Sequence, residues 1–367
     1  MKIDQQIVDQ ARTALEQALE EVPFLRVLTD GPASTIAEAG PYEPDLIVTV
    51  ELNGRSRWTL LVEVKSNGEP RYAREAAQLL HYAADTRRNV YGVFIAPYVS
   101  EQGAQICADA GAGYLDFAGN CRLAFASVFI DRQGRPNPHT TKRRLRSMFS
   151  PKTERIIRTL LDTPWRQWKD TDLSEEARVS IGLVSKVKRL LEDREWIDKR
   201  TTSWELVAPD DLLALWLEYY QPGRHRRIPC YTMLGVEEAE ASISRALEST
   251  RALYAFGRFS AAARWAPHVL HNLISVYVDG PDADEALSSA GLKQVDSGSN
   301  VEVLVPYDKG VLYSWRVCRG FRVTSPIQTY LDLASGGGRG EEAASAVLEY
   351  VKRERWEERD NDHDPQL

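Results

Sequence analysis

Helical and strand-like segments alternate along the first 131 residues of the chain. Residues 4–21 repeat apolar side chains at helical spacing, and two strand-like runs, "PDLIVTVEL" and "RWTLLVEVK", follow with Asn53-Gly54 between them as a hairpin signal. After them, "PRYAREAAQLLHYAADT" is predicted to be a helix, "NVYGVFIAPYV" a buried strand, "SEQGAQICADAG" a second helix and "AFASVFI" a last strand. This alternation predicts an α/β core.

The composition changes sharply after this core. Residues 132–149 are predicted to be a basic linker, and residues 150–221 contain three helical segments and a short two-stranded wing, the order of a winged helix-turn-helix. Residues 222–356 return to an α/β pattern, and the charged residues 357–367 are predicted to be disordered. The fold class expected from these segments is therefore an α/β multidomain protein.

Length and charge agree with this division and limit the function. A chain of 367 residues is long enough for two or three domains, and its net charge of −7 means that any basic surface must be local. The four cysteines form no Cys-x-x-Cys pair, which indicates a reducing compartment and argues against a structural zinc site. Without a membrane-length apolar run or a signal-peptide pattern, we expect a cytoplasmic protein with no membrane partner.

An unusual pair of charges lies in the second strand of the predicted hairpin. Glu63 and Lys65 flank Val64, so both side chains point to the same face of the strand. If that face is buried, the pair is costly unless something such as a metal ion makes use of it. The alternative interpretation is an exposed strand face on which the pair is solvated.

These charges belong to a longer pattern. Pro44-Asp45 lies 18 residues upstream, and Gln78 and Tyr82 are four residues apart on the next helix, hence on one face. The set Pro44-Asp45, Glu63-Val64-Lys65 and Gln78-x-x-x-Tyr82 resembles the PD-(D/E)xK nuclease superfamily, and its RecB-type branch in particular, over roughly residues 1–130.

The resemblance implies a restriction-endonuclease-like α/β/α core and a role for each residue. Asp45, Glu63 and the carbonyl of Val64 would hold Mg²⁺ or Mn²⁺, and Lys65 would be the catalytic lysine that positions or deprotonates the attacking water. Gln78 and Tyr82 would brace the site or the DNA backbone. The family often adds an acidic residue from the first helix, for which Glu16 and Glu20 are both candidates.

The hairpin register makes this hypothesis testable. A two-residue turn at Asn53-Gly54 would pair Asp45 with Val62 and point Glu63 away from Asp45. We therefore predict a three-residue loop, Asn53-Gly54-Arg55, or a bulge that pairs Asp45 with Glu63. The opposite face of the second strand would then pack into the core; its residues are Trp58, Leu60, Val62 and Val64.

Asp116 and Asn120 lie farther along, in "GYLDFAGNCRL". They are better explained as part of a glycine-rich turn between two strands than as site residues.

The third helical segment of residues 150–221 is predicted to be a DNA recognition helix. Its apolar stripe, Ile181, Val184, Val187 and Leu191, is expected to be buried. The DNA-binding candidates are Ser180, Ser185, Lys186, Lys188 and Arg189 on this helix, Lys199, Arg200 and Thr201 in the wing, and Lys142, Arg143 and Arg144 in the linker. The alternatives are a winged helix used for protein contacts and a basic helix face that meets only water.

The C-terminal segment carries a second resemblance. "YAFGRFSAAARWAP", "VYVDG" and "VTSPIQTYLDLAS" are similar to AbiEi-family antitoxins of type IV toxin–antitoxin systems, which implies a nucleotidyltransferase-like α/β domain. An active transferase of that class needs Gly-Ser and two aspartates one residue apart, whereas here Arg258 follows Gly257 and Asp279 stands alone. We therefore expect this domain to bind a partner protein or DNA rather than to transfer nucleotides.

Two functions follow from the sequence. The first is a divalent-metal-dependent endonuclease that hydrolyses phosphodiester bonds in DNA, in bacterial defence or mobile-element biology, with a homodimer needed to cut both strands. The second is a DNA-binding transcriptional regulator or type IV antitoxin in which an inactive nuclease-like domain is a scaffold. Regulation alone gives no reason to keep Asp45, Glu63 and Lys65 at catalytic spacing, which favours the nuclease.

Overall fold

The computed structural model describes residues 4–28, 43–85, 87–138, 148–266, 271–280 and 287–356. The chain divides into two compact units, Met1–Lys142 with Leu190–Glu195, and Arg143–Arg189 with Trp196–Leu367. The finer division into five segments stays a prediction. The linker candidates Lys142, Arg143 and Arg144 and the predicted tail at 357–367 lie outside the described residues.

Helices and strands alternate in the first unit as the sequence predicts. In chain order its elements are α1 (Gln5–Glu20), β1 (Leu25–Leu28), β2 (Leu46–Leu52), β3 (Ser56–Val64), α2 (Pro70–Asp85), β4 (Val90–Ala96), α3 (Glu101–Asp109), β5 (Gly113–Asp116), β6 (Cys121–Phe125) and β7 (Val128–Arg132). The strands form one sheet in sequential order. Strands β3, β4 and β5 are parallel, and the other neighbours pair antiparallel.

Apolar clusters cover both faces of this sheet. Leu15 and Leu19 of α1 join one cluster with Val62 of β3, while Leu80 of α2 joins the other with Leu61. The predicted packing of Trp58, Leu60, Val62 and Val64 on one face is confirmed. Since alternate strand residues point to opposite faces, Glu63 lies on the α2 side of the sheet.

The predicted hairpin register is confirmed. Strands β2 and β3 pair from Leu52 opposite Ser56 to Leu46 opposite Val62, which leaves the three-residue loop Asn53-Gly54-Arg55. Asn53 and Gly54 adopt φ values of 52° and 64° in this loop, a left-handed conformation that these two residue types tolerate best. One residue further along the same register, Asp45 falls opposite Glu63.

The prediction of a single last strand in "AFASVFI" is wrong. The chain turns there and forms the hairpin of β6 and β7, in which Phe125 pairs with Val128 and Ala126 adopts a φ of 48°. Alanine rarely takes this conformation, so the sequence gives no turn signal. The glycine-rich turn expected between β5 and β6 is present.

The second unit begins with the predicted order of three helices and a two-stranded hairpin. Its first elements are α4 (Pro151–Asp162), α5 (Asp170–Glu176), α6 (Ile181–Asp193, whose last four residues belong to the first unit), β8 (Ile197–Lys199) and β9 (Trp204–Leu206). Strands β8 and β9 pair antiparallel.

A second mixed sheet follows in the same unit. The remaining elements are α7 (Pro209–Tyr219), β10 (Arg226–Tyr231), α8 (Val236–Glu248), β11 (Leu253–Phe256), α9 (Arg258–Trp265), β12 (Ile274–Asp279), β13 (Lys293–Gln294), β14 (Val301–Val305), β15 (Arg316–Cys318), β16 (Phe321–Val323), α10 (Pro326–Ala334) and α11 (Arg339–Val351). Short 3₁₀ helices lie at Pro222–Arg224 and Lys309–Leu312, and a π-helix at Lys352–Trp356. The strand order is β13-β10-β14-β12-β11-β16-β15. Both units are thus α/β, as predicted.

A network of buried polar side chains stabilises the second unit. Arg158 of α4 donates to Gln328 Oε1 of α10 at 2.6 Å and to Glu154 Oε2 at 3.3 Å. Asp332 of α10 accepts from the Tyr220 hydroxyl at 2.6 Å. Burial raises the pKa of Asp332, although the charge of Arg258 and the hydrogen bonds from Tyr220, Gln328 and Tyr277 oppose it.

His225 is buried within this network. Its Nε2 lies 3.1 Å from the Tyr220 hydroxyl, and its Nδ1 has no hydrogen-bond partner in the described part of the chain. Burial lowers the pKa of His225 to about 3, with a further contribution from four arginine side chains: Arg158, Arg258, Arg227 and Arg224. The folded protein therefore holds this imidazole neutral.

We expect the stability of the second unit to fall as the pH falls below 6.5. The unfolded chain, whose histidine has the ordinary pKa of 6.5, binds the proton more tightly than the folded one. Each pH unit between 6.5 and 3 should therefore lower the free energy of unfolding by about 1.4 kcal/mol. Urea unfolding at pH 7 and pH 5.5 measures this slope, which His225→Gln should reduce and the exposed-site control His81→Gln should keep. An equal slope in His225→Gln would contradict the assignment.

Candidate functional site

The end of β3 brings three of the predicted nuclease residues together. Lys65 Nζ donates to Glu63 Oε1 at 2.5 Å, and Asp45 Oδ2 accepts from the backbone N–H of Val64 at 2.8 Å. Glu63 is only 5% exposed and the Lys65 side chain 22% exposed. The predicted alternative, a fully solvated charge pair, is therefore wrong.

The electrostatics of this cluster keep Lys65 charged. Burial lowers the pKa of Lys65, but the hydrogen bond and charge of Glu63, together with the charges of Glu75 and Asp45, outweigh it and raise the pKa above its ordinary value. At neutral pH the side chain is an ammonium ion. In this state it can stabilise negative charge and orient a water molecule.

The donor atoms here fit a hard divalent cation. Asp45 and Glu63 offer carboxylate oxygens from facing positions of adjacent strands, and Val64 adds a backbone carbonyl. Across the described residues, no group of three or more histidine, cysteine, aspartate or glutamate side chains has metal-binding geometry. A cation held here would therefore take its remaining ligands from water or from a substrate.

The two family-implied helix residues lie on the surface of α2. Gln78 and Tyr82 are both exposed, which suits contact with a ligand better than bracing a buried site. Glu75, which sequence reasoning missed, precedes them by three and seven residues and thus shares their helix face. That spacing was visible in the sequence, but only the structure shows that the charge of Glu75 raises the pKa of Lys65.

The acidic candidates from the first helix do not reach the site. Helix α1 packs on the face of the sheet opposite to the one that carries Glu63. Glu16 lies 3.9 Å from Arg12 on the same helix, and Glu20 is exposed. Neither residue contributes to the cluster at the end of β3.

Asp116 and Asn120 have the structural role that the sequence favoured. Asp116 Oδ1 accepts from the backbone N–H of Asn120 at 2.9 Å. The side-chain amide of Asn120 donates to the backbone carbonyl of Arg135 and accepts from its backbone N–H. Both side chains are buried and serve to fix the turn between β5 and β6.

The surface of α6 and the wing carries most of the predicted DNA contacts. The exposed candidates are Ser180, Ser185, Lys186, Arg189, Lys199, Arg200 and Thr201. Lys188 differs from the prediction: it is half-buried, and its Nζ donates to Asp170 Oδ1 at 3.0 Å. The ammonium thus holds α6 against α5 instead of pointing into solvent.

The predicted burial of the apolar stripe of α6 is confirmed at three positions and wrong at one. Val184, Val187 and Leu191 are fully buried, whereas Ile181 is 49% exposed. Ile181 is the first residue of the helix, so it lies one turn beyond the last side chain that the core covers. Leu190 is buried in addition to the predicted positions.

A basic groove separates the wing from α5. Its volume is about 460 Å³, and it is lined by four cationic side chains and four hydroxyls, together with Asp170: Lys169, Lys188, Lys199, Arg200, Thr171, Thr201, Thr202 and Ser203. Ammonium, guanidinium and hydroxyl groups are the usual donors to phosphate oxygens. The groove therefore suits a nucleic-acid backbone.

The positions that the transferase pattern requires are used for other contacts. A side chain at Gly257 would meet the Tyr277 ring at 2.7 Å, and Arg258 forms an ion pair with Glu302. The single aspartate, Asp279, lies 3.9 Å from Lys309 Nζ. The expectation that the domain does not transfer nucleotides stays a prediction.

Comparisons with known proteins support the C-terminal resemblance. Residues 205–352 match the family model described as "Transcriptional regulator, AbiEi antitoxin, Type IV TA system". Searches of curated proteins and of solved structures gave no match. The region from β9 to the start of the π-helix thus resembles a family of transcriptional regulators.

In the part of the chain that the structure describes, no helix has the length and apolar character of a membrane span.

Proposed function

We propose that the chain is a DNA-binding transcriptional regulator of the AbiEi antitoxin type. The match of residues 205–352 to a family of such regulators carries the proposal. The three helices before this region and the hairpin at its start support it, because they follow the order of a winged helix-turn-helix. This reverses the preference that the sequence alone suggested, in which the nuclease came first.

The DNA-binding surface consists of α6 and the wing. Helix α6 enters the major groove, where Ser180 and Ser185 contact base edges while Lys186 and Arg189 bind phosphates. Lys199 and Arg200 in the wing bind the neighbouring backbone. We place a protein partner on the second sheet, and a homodimer would read two half-sites.

Lys186→Gln combined with Arg189→Gln is expected to weaken binding to a 30-base-pair duplex. Each lost phosphate contact should lower the slope of log affinity against log salt by about 0.9, because fewer counterions are released. Fluorescence anisotropy from 50 to 200 mM salt measures both effects. Arg245→Gln, an exposed arginine on α8, is the control and should behave like the wild type. Unchanged affinity and slope in the double variant would remove α6 from the DNA interface.

A second candidate function, metal-dependent DNA cleavage, is favoured by the register that sets Asp45 opposite Glu63. A bound Mg²⁺ or Mn²⁺ would polarise the scissile phosphate, and Asp45, Glu63 and the Val64 carbonyl are the residues that would hold it. Lys65 would stabilise the charge that develops on the phosphate. Plasmid cleavage with Mg²⁺, Mn²⁺ or EDTA tests this function, and DNA binding without cutting would leave the regulator with a nuclease-like scaffold.

A further inference from the structure

We propose that the first turn of α6 reads a thymine in the major groove, with Ile181 against its 5-methyl group. This inference rests on the proposed DNA binding and names a base contact within it. It depends on two features that internal packing does not require, the exposed Ile181 and the glycine that follows it.

The buried stripe fixes how α6 is rotated. Val184 and Val187 point into the core, so residues on the other side of the helix face outward. Ile181 continues the stripe three residues before Val184, where the core no longer covers it, and Ser185, one turn further along, is exposed beside it. Ile181 is thus an apolar side chain at the N-terminal end of the helix, the end that contacts base edges in helix-turn-helix complexes.

Gly182 leaves the first turn of α6 without a side chain at an exposed position. A Cβ built at this position would meet no other atom within 4 Å, so internal packing does not require glycine. Its backbone is helical and needs no positive φ. Since glycine destabilises a helix relative to alanine, the useful property here is close approach of another surface to the backbone.

The cationic side chains near Gly182 indicate that the surface approaching this helix turn is DNA. Lys186 and Arg189 follow on the exposed side of α6, and neither adds apolar area to Ile181. A single apolar side chain among polar and cationic ones is complementary to a single methyl group between phosphates. In duplex DNA that group is the 5-methyl of thymine, the apolar feature of the major groove.

The test uses the full chain and a randomised duplex library. Wild type is used to select a preferred sequence, and each thymine of that sequence is then replaced by deoxyuridine, which removes only the methyl group. One replacement should weaken wild-type binding about fourfold, the equivalent of about 0.8 kcal/mol for one buried carbon. Ile181→Ala should bind the thymine and deoxyuridine duplexes equally. No deoxyuridine penalty at any thymine, or the same penalty in Ile181→Ala, overturns the inference.

Gly182→Ala separates recognition from folding. The added methyl group should raise the melting temperature because alanine favours the helix. It should also weaken binding to the selected duplex, because the helix can no longer approach as closely. Unchanged or tighter binding of this variant contradicts the proposed approach. If wild type binds no duplex, the proposed regulator function fails, whereas sequence-selective binding without a thymine effect overturns only the inference.

Discussion

Replacing Arg158 with alanine is expected to lower the free energy of unfolding of the second unit by about 3–5 kcal/mol. The side chain is 3% exposed, and its guanidinium binds Glu154 and Gln328. Removing it leaves the buried Glu154 carboxylate to Arg224, whose side chain is 28% exposed, and a buried charge that loses a buried partner is costly. Urea unfolding followed by circular dichroism measures the change.

Arg155 on the same helix is the matched control. It donates to both oxygens of Asp308, at 2.7 and 2.8 Å, but its side chain is 23% exposed. Arg155→Ala should therefore cost about 1 kcal/mol, because solvent screens the pair. If Arg158→Ala and Arg155→Ala lower the free energy of unfolding equally, burial does not determine how much stability each arginine contributes.

A double variant shows whether the loss of charge compensation causes the instability of Arg158→Ala. Arg158→Met with Glu154→Leu removes both charges and keeps much of the buried volume. It should recover part of the stability that Arg158→Ala loses, because no carboxylate is left behind in the core. A double variant less stable than Arg158→Ala would show that the network is needed for its hydrogen bonds.

The sequence predicts the α/β core of the first unit well, because local patterns determine it. The requirement that Asp45 and Glu63 share a face selects a three-residue loop, and the structure has that loop. The missed hairpin of β6 and β7 turns at Ala126, whose left-handed backbone no sequence rule anticipates. Ile181 fits the apolar repeat of α6, but a repeat cannot show where the neighbouring elements stop covering the helix.

The buried polar network could not be predicted from the sequence. Glu154 and Arg158 are four residues apart on α4, the spacing of an ordinary solvated pair on a helix surface. Their burial depends on α10, whose Gln328 lies 170 residues further along the chain. Sequence patterns report local periodicity, and long-range contacts of this kind are set only when the elements assemble.

Glu63→Gln is expected to abolish metal-dependent cleavage of plasmid DNA if the first unit is an active nuclease. The change removes the negative charge of a carboxylate that would hold the cation, while keeping the size of a nearly buried side chain. Duplex binding through α6 should be unaffected, and Lys186→Gln with Arg189→Gln should show the converse loss. Cleavage by Glu63→Gln at the wild-type rate would trace the activity to a contaminant or to another site.

Substitutions of Lys65 then distinguish two roles for the ammonium. Lys65→Met should lower the cleavage rate about 10²- to 10³-fold, the usual cost of losing one electrostatic contact in a transition state. Lys65→Arg keeps the charge, but arginine cannot accept a proton. Because Lys65 Nζ donates to Glu63 Oε1 and supplies a positive charge at that point, we expect Lys65→Arg to retain more activity than Lys65→Met. Equal inactivity of the two variants, with melting temperatures near that of wild type, would instead mean that Lys65 acts as a base.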